Sequence, residues 1–151
     1  MDNRVLPLII LCLIILIGLM ALESPINRIG PLEEPLVLPE NTIIEIHDQP
    51  VMIRKVVVDE VQTREQSWIA IYADQNGMPG QVIGYRRIFP GIFRQLEIEI
   101  DLSKATVVLY AMVHKDQGNR GIFEYPGIDL PITNGNLTGP QSFRITYPFR
   151  S

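Results

Sequence analysis

The chain has one cysteine, Cys12, and it lies inside a run of apolar residues. The rest of the sequence therefore offers neither a disulfide nor a thiolate-ligated metal site. A blue-copper centre needs two histidines and a cysteine thiolate, so it is excluded, and so is haem attachment through C-x-x-C-H. Histidine is almost as scarce, with only His47 and His114. No Ser–His–Asp arrangement and no phosphate-cradling glycine loop is recognisable. Basic residues number 13 against 17 acidic ones, for a formal charge of −4. They form no patch, so nucleic acid is not an expected partner. After residue 40 no apolar stripe recurs at helical spacing, which argues against a helical domain.

What the sequence does hold is an uninterrupted apolar segment, Val5 to Leu22. As a helix of about 1.5 Å per residue it would span about 27 Å, close to the roughly 30 Å hydrocarbon core of a bilayer. A cleaved secretory signal is the competing reading, with Arg4 as its basic start. The exit Leu19-Met20-Ala21-Leu22-Glu23-Ser24-Pro25 lacks a small residue at the position where cleavage would need one. Cys12 lies mid-run behind Ile10 and Leu11, which does not suit lipidation. An uncleaved anchor is therefore expected. Arg4 and the α-amine place residues 1–4 in the cytoplasm and the rest of the chain outside, and a thiol-free exterior agrees with an oxidising compartment.

Residues 23–40 read as a stalk. Pro25, Pro31, Pro35 and Pro39 block helix and favour extended backbone, and Glu33-Glu34 keep it hydrated. Ile29, Leu32, Leu36, Val37 and Leu38 are more apolar than a plain spacer needs. They are candidates for contact with a partner at the membrane surface.

Residues 41–151 read as strands. Ile43–His47, Val51–Val58, Ser67–Tyr72, Gln81–Phe89, Phe93–Leu102, Thr106–Val113 and Ser142–Phe149 are the expected segments. Trp68, Ala70 and Tyr72 share one face, with Ile69 and Ile71 on the other. Leu96, Ile98, Ile100 and Leu102 point inward, while Glu97, Glu99 and Asp101 point outward. Thr106–Val113 is apolar on both faces and predicts a central strand. Phe143, Ile145 and Tyr147 share a side. Period-two alternation between Gly, Pro and Asn turns predicts an all-β, antiparallel, Ig-like β-sandwich preceded by one N-terminal transmembrane helix.

Two loops invite chemical readings. In Asp74-Gln75-Asn76-Gly77-Met78-Pro79-Gly80, Asp74 and Asn76 alternate like the start of a calcium loop, but no closing Glu follows. A long hairpin loop with glycines at positive φ is the plainer expectation. The second loop leaves a buried strand at His114, turns, and is expected to return as an aromatic strand. Asp116, Glu124 and Asp129 follow within it, and with His114 they could be drawn as a metal or acid–base set. The alternative is that His114 and Asp116 bond backbone groups and fix the loop. Asn136-Leu137-Thr138 is a glycosylation sequon.

Four blocks carry a family resemblance: Trp68–Asp74 (WIAIYAD), Gly77–Gly84 (GMPGQVIG), Leu109–Gly118 (LYAMVHKDQG) and Gly121–Pro131 (GIFEYPGIDLP). Through them residues 51–147 resemble a β-sandwich domain of unknown function found in archaeal surface proteins and some bacterial exported proteins. The resemblance implies an Ig-like sandwich outside the cell membrane, with no established activity.

These readings converge on a single-pass accessory subunit of a larger membrane assembly, with no catalysis and no cofactor of its own. A respiratory or photosynthetic complex is one such host. A cell-surface binding module for polysaccharide or protein is the second reading, with Tyr85, Phe89, Phe93 and Tyr125 as candidate exposed aromatics. A metal-dependent enzyme around His114 is the third.

Overall fold

The computed structural model describes residues 41–51, 53–133 and 139–147. The expected cytoplasmic tail, the anchor at 5–22, the stalk with its apolar candidates Ile29 to Leu38, and the sequon at Asn136 lie outside the described residues. Among the described residues no helix is long and apolar enough to cross a membrane.

Among the described residues eight strands form two sheets. They are β1 (Ile43–Glu45), β2 (Gln49–Pro50), β3 (Lys55–Thr63), β4 (Ser67–Gln75), β5 (Met78–Ile88), β6 (Gly91–Glu99), β7 (Val108–Lys115) and β8 (Gln141–Thr146). The smaller sheet has the order β1-β3-β6, and the larger has β2-β8-β7-β4-β5. All pairings are antiparallel except that of β2 with β8. One core joins the two sheets. Val56, Val58, Leu96 and Ile98 come from the smaller sheet, and Ile69, Ile71, Leu109, Ala111, Val113, Phe143 and Ile145 from the larger. The fold is thus an all-β sandwich. Its core follows the alternation of Leu96 and Ile98 in β6 and of Phe143 and Ile145 in β8. The twice-apolar segment is β7, which pairs with β8 on one edge and β4 on the other.

Three local expectations are corrected. Val51–Val58 is not one strand. Ile53 and Arg54 have φ of 51° and 59°, and β3 begins only at Lys55. That turn moves the chain from the larger sheet, where β2 lies, to the smaller. The loop at 74–80 is not long. Gln75 pairs with Met78, leaving a two-residue turn in which Asn76 (φ 57°) and Gly77 (φ 81°) are both left-handed. This is the hairpin turn whose twist matches its flanking strands. The expected strand Ser142–Phe149 stops at Thr146, so Tyr147 lies past its end and is exposed.

The fourth correction concerns the return path after His114. Residues 116–131 form no strand beyond a single bridge between Pro131 and His114. The segment instead folds back over the outer face of the larger sheet. Pro126 and Pro131 lack ladder donors. The carboxylates of the loop capture the N–H groups that a strand would need, as described next.

Candidate functional site

The outer face of β4 and β7 carries Trp68, Ala70 and Tyr72 from one strand and Tyr110, Met112 and His114 from the other. Such a face is normally wet in a sandwich. Here it forms a second apolar cluster of Ala70, Tyr72, Tyr110 and Met112, against which Phe123 and Tyr125 of the folded-back loop pack. His114 sits under that cover with no exposed surface. Its ring lies 4.7 Å from that of Tyr125 and 5.4 Å from that of Phe123.

Both ring nitrogens of His114 are engaged. Nδ1 lies 2.8 Å from the Asp129 carbonyl, which can only accept, so Nδ1 carries the proton. Nε2 is then the acceptor for the Tyr72 hydroxyl at 2.5 Å. Burial pushes the His114 imidazole below its ordinary value, outweighing the pull of Asp129. Burial, and then the neighbouring Tyr125, push the Tyr72 phenol up. The pair is a neutral, buried hydrogen bond, and it leaves no imidazole lone pair free for a metal ion.

The carboxylates that could be drawn with His114 as a reactive set bond groups of the loop and its neighbours. Asp129 is buried, and its Oδ1 accepts the Gln117 N–H at 2.9 Å and the Gly118 N–H at 3.4 Å. Its Oδ2 accepts the Glu124 N–H at 2.8 Å. Glu124 accepts the Asn119 N–H at 2.6 Å and the Asn119 side-chain amide at 3.0 Å. Asp116 accepts the Gly121 N–H at 3.1 Å, the Gln66 amide, and Arg87 at 3.3 Å. Burial alone would raise the Asp116 carboxyl. Gln66, the Gly121 N–H, the Trp68 indole and the Arg87 charge together hold it below its usual value. The Trp68 Nε1 itself has no partner in regular hydrogen-bond geometry. Among the described residues no group of three or more His, Cys, Asp or Glu is arranged to hold a metal ion. Asp74 likewise serves its own turn, accepting the Gly77 N–H at 3.1 Å and the Tyr110 hydroxyl at 2.9 Å.

Two features were not singled out from the sequence. One is the environment of Arg87, whose guanidinium lies 5.9 Å from the Trp68 ring and 5.2 Å from that of Phe89. Tyr85 is 54% exposed and Phe89 52% exposed beside it. Of the other two aromatics expected at the surface, Phe93 packs against the core and Tyr125 against the outer cluster. The alternation Tyr85-Arg86-Arg87-Ile88-Phe89 was the available signal. The other feature is a groove of about 540 Å³ where His47, Asp48, Gln49, Lys55, Asp59 and Glu97 converge. His47 Nδ1 lies 2.9 Å from Asp59, which raises the imidazole, and Lys55 pairs with Glu97 at 2.6 Å. Residues so far apart in sequence left no local pattern to read.

The architecture and its loop define an all-β sandwich domain whose candidate polar residues secure its own cover. Residues 42–141 match the model of a domain of unknown function, DUF7282, and the chain belongs to that family. No curated protein and no solved structure matches it.

Proposed function

We propose that the chain is a single-pass, membrane-anchored accessory subunit that acts by binding, with its domain on the extracytoplasmic side and its N-terminus in the cytoplasm. One observation carries the binding half of this reading. The polar groups best suited to chemistry are consumed in tying the 116–131 loop to the sheet, while aromatic surface is left facing solvent. The apolar run Val5–Leu22 supports the anchor, and the bilayer is then the first partner. Other membrane-protein subunits are the second, met through Ile29, Leu32, Leu36, Val37 and Leu38 as well as through the domain.

The strand order supports an Ig-like assignment within this reading. The order β1-β3-β6 against β8-β7-β4-β5 corresponds to A-B-E against G-F-C-C′, with β2 as the short strand beside G. Two Ig hallmarks are replaced. Val58 and Ala111 fill core space with no bridge between β3 and β7. Ile69 and Ile71 take the core side of β4, while its tryptophan faces outward. An Ig-like sandwich suits the outside of a cell, in line with the surface context that the family resemblance implies.

The test is purification from gently solubilised membranes through a C-terminal tag. A stoichiometric set of membrane proteins is expected, and a lone monomer overturns the subunit reading. The half-exposed Tyr85 and Phe89 favour a second reading, a surface binding module for a polysaccharide or protein. That module would keep its ligand after the anchor's neighbours are removed.

A further inference from the structure

We propose that the shelf formed by Tyr85, Arg87 and Phe89, with Arg120 of the covering loop at its side, binds a carboxylate-bearing glycan. This rests on the binding-module reading and names its ligand class. The three side chains alternate along the outer side of β5 and its exit, so Tyr85 and Phe89 lie about 13 Å apart at the usual strand rise. That length suits a short run of sugar rings rather than a single one.

The two outer rings are fixed from below and open above. Tyr85 lies 4.8 Å from Phe123 at 35° and meets Trp68 edge-on at 5.7 Å. Phe89 rests on the Arg87 guanidinium. A flat apolar surface already held in place loses little side-chain freedom on binding. Its natural complement is the C–H face of a pyranose ring, with polar groups at the rim.

Charge selects among glycans. Arg87 keeps about a third of its side chain in solvent (32%) although it pairs with Asp116, whose carboxylate has none exposed. Gly121 lets the loop pass this close, since a Cβ there would stand 2.8 Å from the Arg87 guanidinium, and its φ of 86° disfavours one anyway. Arg120, next in sequence, is exposed and makes no ion pair among the described residues. The neighbouring acids Asp116 and Glu124 are engaged with backbone N–H groups of the loop. The shelf is therefore locally cationic on a chain of net charge −4. Guanidinium forks match carboxylates in two-point geometry. An acidic peptide would satisfy the charge but would gain nothing specific from two spaced flat rings.

The single tryptophan, Trp68, contacts Tyr85 and Arg87 and so reports on this site. The full chain in detergent micelles is titrated with oligogalacturonate while Trp68 emission is followed. A saturable change is expected. Tyr85→Ala and Phe89→Ala should each raise Kd at least tenfold with circular dichroism unchanged, and Arg120→Gln should weaken binding several-fold and flatten its salt dependence. A neutral oligoglucoside of equal length should bind more weakly, and polyglutamate should not bind at this site. No response to oligogalacturonate overturns the proposal. So does equal binding of polyglutamate, or unchanged affinity in the Tyr85→Ala, Phe89→Ala double variant. If a photocrosslinker at position 85 captures only protein, the glycan class is overturned and the binding module stands. If glycan binds and tagged purification yields a lone monomer, the subunit reading falls and this proposal stands.

Discussion

The Gln49 side-chain amide closes both backbone groups of Val57, with Nε2 donating to the Val57 carbonyl at 2.8 Å and Oε1 accepting its N–H at 2.7 Å. β1 pairs with β3 only from Glu60 to Gln62, so among the described residues no strand neighbours this stretch of the β3 edge. One amide does the work of a strand residue there, and it shields an edge that would otherwise template pairing with another chain. Gln49→Ala strands both groups at a half-buried site. A loss of about 1–3 kcal/mol is expected. Urea unfolding checks it, through a lower midpoint at unchanged slope.

Gly84 marks the place where β5 crosses the end of β6. A Cβ at this position would stand 2.3 Å from the Glu99 carbonyl oxygen, which is backbone and cannot swing aside. Gly84→Ala should therefore cost about 1–3 kcal/mol by overpacking. Gly77→Ala, in open space but at φ of 81°, should cost about 1 kcal/mol for backbone reasons alone. Thermal melts of the two variants would rank them, and equal melting temperatures would contradict the crossing contact.

Asp129 holds the covering loop through three backbone N–H groups. Asp129→Ala leaves those donors unpaired under the aromatic cover. Amide exchange at Gln117, Gly118 and Glu124 should then accelerate, while the amides of β3 and β6 keep their wild-type protection. Uniform acceleration across the domain would mean that the loop does not open separately.

The two histidines act on opposite sides of pH 6.5. His114 has its imidazole lowered by burial, so the unfolded chain binds its proton first. Stability should fall as pH drops from 6.5 towards the folded-state value and be unaffected above 6.5. His47 is raised by Asp59, so its contribution is complete below 6.5 and is lost as pH rises through its folded-state value. His114→Gln should remove the acid-side slope of a stability–pH profile and His47→Gln the slope above 6.5. Tyr72→Phe deprives Nε2 of its donor and should cost about 1–3 kcal/mol. A wild-type profile flat from pH 5 to 8 would contradict both assignments.

Much of the sandwich was legible because period two is a local property. Leu96, Ile98 and Ile100 alternate with glutamates, and the structure puts them in the core. The two-sided apolarity of Thr106–Val113 told of a central strand, and the Asn76-Gly77 dipeptide carried its tight turn even though a longer loop was expected. The break at Ile53-Arg54 was not legible, since neither residue favours a left-handed backbone and only the crossing between sheets imposes it.

The candidate site divides along the same line. Sequence alone put His114 at a strand exit, Trp68, Ala70 and Tyr72 on one face, and Asp116, Glu124 and Asp129 in one loop. It also determined that no thiol chemistry belongs to the domain. Alternation states which side chains share a face, but not what lies on it. That the loop folds back over β4 and β7 was decided by tertiary contacts such as the ring contact of Tyr72 with Tyr125 and the bond from His114 to the Asp129 carbonyl. Those contacts made a set that could be drawn as reactive into a buried fastening and left Tyr85, Arg87 and Phe89 open to solvent.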